Sequence, residues 1–167
     1  MTLVIIGGFI DLSVVGVINL TAISTIMLIQ PLGQLPAFLL GLALGTVLGW
    51  LNSKVILSCG ATTKHTALFV TYGLSSVYSA IAMIICKGET QNMAFITRDK
   101  HIFTFIGQGK VGILSISFLL FLAFMLALHI FHKRTYMGRA ISLSGSNKTA
   151  AMLAGIPVNR SISLIFT

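Results

Sequence analysis

The sequence predicts an all-α bundle of membrane-spanning helices, organised as one domain over residues 1–167. Three observations predict it. Apolar residues make up 56% of the chain and charged residues 8%, where a soluble domain carries roughly 25% charged residues. The mean hydropathy is +0.99. The apolar residues also gather into runs of about 20, the length a helix needs to cross a bilayer core. A net charge of +8 does not redirect this reading, because the basic residues punctuate apolar runs instead of forming a stripe on a polar surface. Nucleic acid is therefore excluded as a partner, and lipid is the expected surrounding.

Before Asp11 there are too few residues to cross a membrane, and Gly7-Gly8 allow the backbone to turn or unwind there. Asp11 is the one ionisable group set into this apolar start. Such a group costs about 3 kcal/mol at a bilayer centre and is a functional candidate by default. Asp11 or Ser13 is also suited to cap the helix that follows, and the two roles are compatible. The first span is expected over 12–29; with Asn19 inside it, Asp11, Ser13 and Asn19 are the candidate polar lining of a solute path.

The second span, 37–57, carries small residues at every fourth position: Ala37, Gly41, Gly45, Gly49 and Ser53. They share one helical stripe, which lets another backbone approach closely and supplies the packing that joins helices in lipid. The third span, 67–86, has a softer version in Gly73, Ser75, Ser76, Ser79 and Ala80. Its Tyr72 and Tyr78 read as buried side chains satisfied by a neighbouring helix, with a pore-facing placement as the alternative. The fourth span is expected over 111–131.

A basic segment, 132–161, follows and holds a short helix, Thr149-Ala-Ala-Met-Leu-Ala-Gly155, suited to docking on a cytosolic partner. Its plainer reading is an amphipathic connector ended by a glycine cap, with Pro157 beyond. The apolar run at 162–167 stops as it starts, so both ends read as cut from a longer protein.

Cytoplasmic loops are enriched in Lys and Arg. Lys133, Arg134, Arg139, Lys148 and Arg160 place the segment after the fourth span inside, and alternation puts Lys54 and Lys64 inside with it. Lys87, Arg98, Lys100 and Lys110 then lie outside, a seven-to-four division.

Enzymatic chemistry finds little support. No GxxxxGK[ST] loop is present, and Gly107-Gln-Gly-Lys110 is too short to replace one. His129 and His132 lack a third ligand, so no metal is expected. No GxSxG elbow supports a hydrolase. Cys59 and Cys86 show no CxxC and read as apolar fillers, and no cofactor is implied. The first positive side chain is Lys54, which argues against a cleaved signal peptide.

Two stretches carry a resemblance. Gly7-Gly-Phe-Ile-Asp-Leu-Ser-Val14 resembles the Gly-Gly-Ile-Asp-Leu-Ser-Val-Gly signature of bacterial ABC-transporter permeases of the ribose, xylose and galactoside type, with Phe9 added and Val15 ahead of Gly16. Arg134-Thr-Tyr-Met-Gly-Arg139, Ser144-Gly-Ser-Asn147 and Thr149-Ala-Ala-Met-Leu-Ala-Gly-Ile156 are similar to that family's cytoplasmic loop, in the same order. The resemblance implies a permease subunit of the bacterial inner membrane that forms a path and is not an enzyme. It implies a separate ATPase subunit, a second permease subunit and an extracytoplasmic sugar-binding protein as partners. Gly138, Arg139, Thr149, Ala150, Ala151 and Gly155 would then belong to the coupling region that meets the ATPase. The family's usual Glu and Arg are here Thr149 and Met152, which removes a charge pair from that contact. A monosaccharide is the implied cargo. Branched-chain amino acids or another small solute are the near alternative, and a small membrane scaffold or ion-coupled carrier without ATPase is the distant one.

Overall fold

The computed structural model describes residues 1–61, 63–90, 101–112 and 114–166. In chain order these form α1 (Thr2–Ile6), α2 (Ser13–Leu32), α3 (Gln34–Ser58), α4 (Lys64–Ile85), α5 (His101–Gln108), a hairpin of β1 (Lys110–Val111) and β2 (Leu114–Ser115), α6 (Ile116–Arg134), α7 (Tyr136–Ser146), α8 (Lys148–Leu153) and α9 (Val158–Phe166). Four of these helices, α2, α3, α4 and α6, are long and apolar enough to span a membrane, matching the expected count. The fourth span is corrected from 111–131 to Ile116–Arg134. Lys110 pairs with Ser115 across the antiparallel hairpin, and Ser115 then caps α6 by accepting from Phe118 N at 3.2 Å. A capped start at this point takes the place of a helix running back through Gly112.

Polar caps set the other helix starts. Thr63 and Thr66 form a reciprocal capping box at the head of α4. Thr135 accepts from Gly138 N at 3.1 Å to start α7, and Asn147 accepts from Ala150 N at 3.0 Å to start α8. Helices α2 and α3 are separated by Gly33 alone, after Pro31 in the last turn of α2. On that side of the bundle α5 lies against α3, with Gln34 Oε1 accepting from Ile102 N at 3.1 Å and the Phe38 and Phe103 rings edge to face at 6.0 Å.

The small-residue stripe on α3 is used within the chain, in three different ways. Ala37 and Gly41 are buried, and a Cβ on Gly41 would strike Thr25 Oγ1 of α2. Ser53 exchanges a 2.7 Å hydrogen bond with Ser163 of α9. Gly45 and Gly49 instead line a cleft described below. Ala37, Gly41 and Ser53 of the stripe thus pack within the chain, while Gly45 and Gly49 border open space. A second close approach joins α2 to α4: a Cβ on Gly16 would lie 2.6 Å from Ser75 O.

Burial is concentrated in two places. One cluster sits where the ends of α3 and α4 meet the short helices, built from Val4, Ile56, Ala61, Ala67, Ile141, Ala151, Val158, Ile162, Ile165 and Phe166. The other lies among α2, α3 and α4, around Leu20, Leu48, Tyr78 and Ala82. The first cluster brings the α3–α4 link, with Lys54 and Lys64 at its flanks, to the same end as α7, α8 and α9. That end also carries Lys133, Arg134, Arg139, Lys148 and Arg160, so the two basic groups share one side as the alternation of spans requires. Arg98, Asp99 and Lys100 of the opposing loop lie outside the described residues. Helix α6 has no buried residue.

Candidate functional site

Between α1 and α2 the chain is not helical. Gly8 takes φ +78°, a conformation a side chain would strain, and Phe9 N returns to Val4 O at 2.9 Å to close α1. The backbone then crosses α4, where Thr71 Oγ1 accepts from Leu12 N at 3.1 Å. An amide freed from helix in an apolar setting needs such a partner. Asp11 follows the same logic: its Oδ1 accepts from Ser13 N at 2.8 Å and from Ser13 Oγ at 2.5 Å. The N-cap position of α2 is Leu12 and carries no side-chain cap; Asp11, only 5% exposed, instead holds the first amide of the helix from the residue before the N-cap.

Asp11 also ends a longer relay. Tyr78 of α4 donates its hydroxyl to Asn52 Oδ1 of α3 at 2.6 Å, Asn52 Nδ2 donates to Ser13 Oγ at 2.7 Å, and Ser13 donates to Asp11. Three side chains, one from each of three spanning helices, thus point their donors one way, toward the carboxylate in the break before α2. Bonds aligned in this sense strengthen one another in a low-dielectric interior. Asn52 and Ser13 are 2% and 0% exposed.

The relay forms the polar floor of a cleft of about 400 Å³ lying among α1, α2, α3, α6 and α9. Asp11, Ser13 and Asn52 line it, and Gly45 and Gly49 give it room by leaving the α3 wall bare. Of the three candidate path residues, Asp11 and Ser13 come together here. Asn19 does not: it is exposed on α2 and away from the cleft. Tyr78 is satisfied by a neighbouring helix as expected, whereas Tyr72 is 62% exposed. Sequence reasoning passed over Asn52 and Thr71. A signal existed for the first, since an Asn within an apolar span tends to hydrogen-bond across to a neighbouring helix.

At the basic end, the second group of candidate residues divides by role. Gly138 is buried, and a Cβ there would lie 2.5 Å from His132 Cα and from Phe131 O, so the turn from α6 into α7 depends on its bareness. Arg139 is exposed. Gly145 meets the break before α2, where a Cβ would strike Ile6 O and lie 2.9 Å from Gly7 Cα. Helix α8 presents Thr149, Ala150, Met152 and Leu153 outward, the last 86% exposed. Ala151, expected as a contact position, is instead 3% exposed and anchors α8 in the bundle's own core. Gly155 closes α8 with φ +75°, donating to Met152 O while Ile156 N donates to Ala151 O, both at 3.0 Å. This is the Schellman closure that a glycine cap implies.

Among the described residues no three His, Cys, Asp or Glu side chains gather in a metal-binding group. His129 and His132 line a small cleft between α1 and α6. Both cysteines are free; Cys86 is buried, but Cys59 is exposed at the end of α3 and is not a core filler.

Residues 1–167, the whole chain, match the family described as the branched-chain amino acid transport system permease component. The chain belongs to this family. It is similar to the autoinducer 2 import system permease protein LsrD of Escherichia coli strain K12 and of Shigella flexneri, at 30% identity over 173 residues in each. The alignments take in 99% of this chain and 50% of each relative, so the chain spans about half the length of the curated relatives it matches. No solved structure matches. Membership makes the chain a multi-pass membrane permease component and not an enzyme.

Proposed function

We propose that the chain contributes the translocation path of an ATP-driven importer for a small, oxygen-rich solute of monosaccharide type, in a bacterial inner membrane. The observation that carries this reading is the relay from Tyr78 to Asp11, opening into a cleft between spanning helices of a permease. A solute bearing several hydroxyls can donate to Asp11, the end of the relay that borders the cleft, while Ser13 and Asn52 behind it hold the carboxylate in place. The imports named for the relatives are of autoinducer 2, which makes that solute the first cargo to test here.

Energy would enter at α8. Its outward residues Thr149, Ala150, Met152 and Leu153 present an apolar surface with no acidic side chain, suited to a cleft on a separate ATPase subunit. A second permease subunit and an extracytoplasmic binding protein complete the assembly. With Thr149 and Met152 in place of a charged pair, this docking rests on packing, and salt should weaken it little.

The test is uptake into vesicles holding the permease with its ATPase and binding protein, offered ribose, autoinducer 2 and leucine in turn. ATP-dependent accumulation of ribose or autoinducer 2, lost in Asn52→Leu, supports the reading. Accumulation of leucine alone moves the cargo to branched-chain amino acids. Uptake driven by an ion gradient without ATP replaces the reading with a secondary carrier that uses Asp11 for its coupling ion.

A further inference from the structure

The cleft above the relay has a polar floor and a bare wall, and both belong in part to one face of α3. Gly45, Gly49 and Asn52 follow at spacings of four and three, which puts them on one side of the helix, and all three line the cleft. Asn52 stands at the floor with Ser13 and Asp11. Gly45 lies two turns away, about 10 Å along the axis. The stripe glycines do not serve one end. A Cβ on Gly41 would strike Thr25 Oγ1, so that position is bare for the sake of helix contact. A Cβ on Gly45 would meet only Thr21 Cγ2, at 3.6 Å, an ordinary van der Waals distance. Packing of α2 on α3 therefore does not require glycine at 45, and within a helix glycine is less favourable than alanine. What its bareness provides is room in the cleft. An acceptor stands at the other end of that room. Both hydrogen bonds that Asp11 accepts fall on Oδ1, and Oδ2 accepts from no group among the described residues, although the side chain is only 5% exposed. A buried oxygen left without a donor favours a ligand that brings one.

We propose that Gly45 sets the upper size of the solute this path accepts. The cleft takes a single sugar ring, held by a hydroxyl on Asp11 Oδ2, and discriminates by the substituent that the ring carries toward Gly45. This inference rests on the reading of the cleft as a path for a solute of monosaccharide type. At about 400 Å³ the cleft is at the small end of ligand pockets, so a methyl or isopropyl group on its wall takes a share of the room that a small ring would feel. A pocket distinguishes ligands that differ by one methylene by roughly ten- to two-hundredfold.

Ribose and allose make the test, because the six-membered ring of allose is that of ribose with one hydroxymethyl group added. Vesicles holding the permease with its ATPase and binding protein take up the two sugars in competition, for the wild type, Gly45→Ala and Gly45→Val. The binding protein is common to all three, so a change in the ratio belongs to the permease. The allose-to-ribose ratio of kcat/KM is expected to fall about threefold in Gly45→Ala and roughly tenfold in Gly45→Val. Ribose uptake and the unfolding midpoint should be retained in Gly45→Ala, which carries the test alone if Gly45→Val does not fold. Thr46→Ala, on the exposed side of α3, should leave the ratio unchanged. An unchanged ratio in the folded Gly45 variants, or an equal loss of both sugars, overturns the size limit and leaves the path reading standing. Accumulation of leucine alone by the wild type overturns the monosaccharide reading and the size limit with it.

Discussion

Asn52 is the residue on which the relay turns, because it is the only one that both accepts from Tyr78 and donates to Ser13. Asn52→Leu keeps the volume and removes both functions, leaving the Tyr78 hydroxyl without its acceptor. We expect a loss of about 1–3 kcal/mol in unfolding free energy, measured by denaturation in detergent. Asn19→Ala, at an exposed position, should stay within about 0.5 kcal/mol. Gly16→Ala tests a different contact, since its new Cβ would overlap Ser75 O, which belongs to the α4 backbone and cannot swing aside. Overpacking of this kind costs about 1–3 kcal/mol, and Ser75→Gly should not rescue it. Asp11, Ser13 and Gly16 were legible as members of one short motif. What the sequence could not convey was that each acts on a different neighbour: Asp11 on the start of its own helix, Ser13 on Asn52, Gly16 on α4. Pairings across 39 residues, as between Ser13 and Asn52, leave no trace in local spacing.

At the scale of elements, the spanning helices were readable because apolar length alone specifies them in lipid, where backbone groups must bond within the helix. Their limits were not, because caps decide them. Nothing in hydropathy separates 111 from 116, whereas the Ser115 hydroxyl does. The cap on α8 offers a direct check: Asn147→Ala should lower stability by about 1 kcal/mol and speed amide exchange across Lys148–Leu153 before it affects the spanning helices. The outward face of α8 offers another. Leu153→Asp, at a position 86% exposed, should leave the unfolding midpoint of the isolated chain nearly unchanged while abolishing recovery of the ATPase subunit in a detergent pull-down. Ala151→Asp should do the opposite first, unfolding the chain from its core. These two positions show why a motif read from sequence mixed surface with anchor: successive helical residues point about 100° apart, so Ala150 and Leu153 face out while Ala151 between them faces the core.

In the whole molecule, the basic end holds the larger buried cluster, and the two native cysteines fall where they can report on sidedness. Cys59 is exposed beside the α3–α4 link, while Cys86 is buried at the far end of α4. A membrane-impermeant maleimide should therefore label Cys59 in inside-out vesicles and not in right-side-out ones; the reverse pattern would turn the assigned orientation over. Helix α6 touches this cluster mainly through Phe131 and contributes no buried residue, so its largely exposed apolar surface would suit the packing of further helices. The contact between Gly145 and the Ile6–Gly7 backbone joins the two ends of the functional argument. Side chains can rotate to absorb a displacement, but main chain pressed on main chain cannot. A shift of α7 and the α8 it carries would be handed to the peptide groups just ahead of Asp11 with almost no slack, making this glycine a stiff pivot between the surface proposed to dock on an ATPase and the carboxylate that faces the cleft.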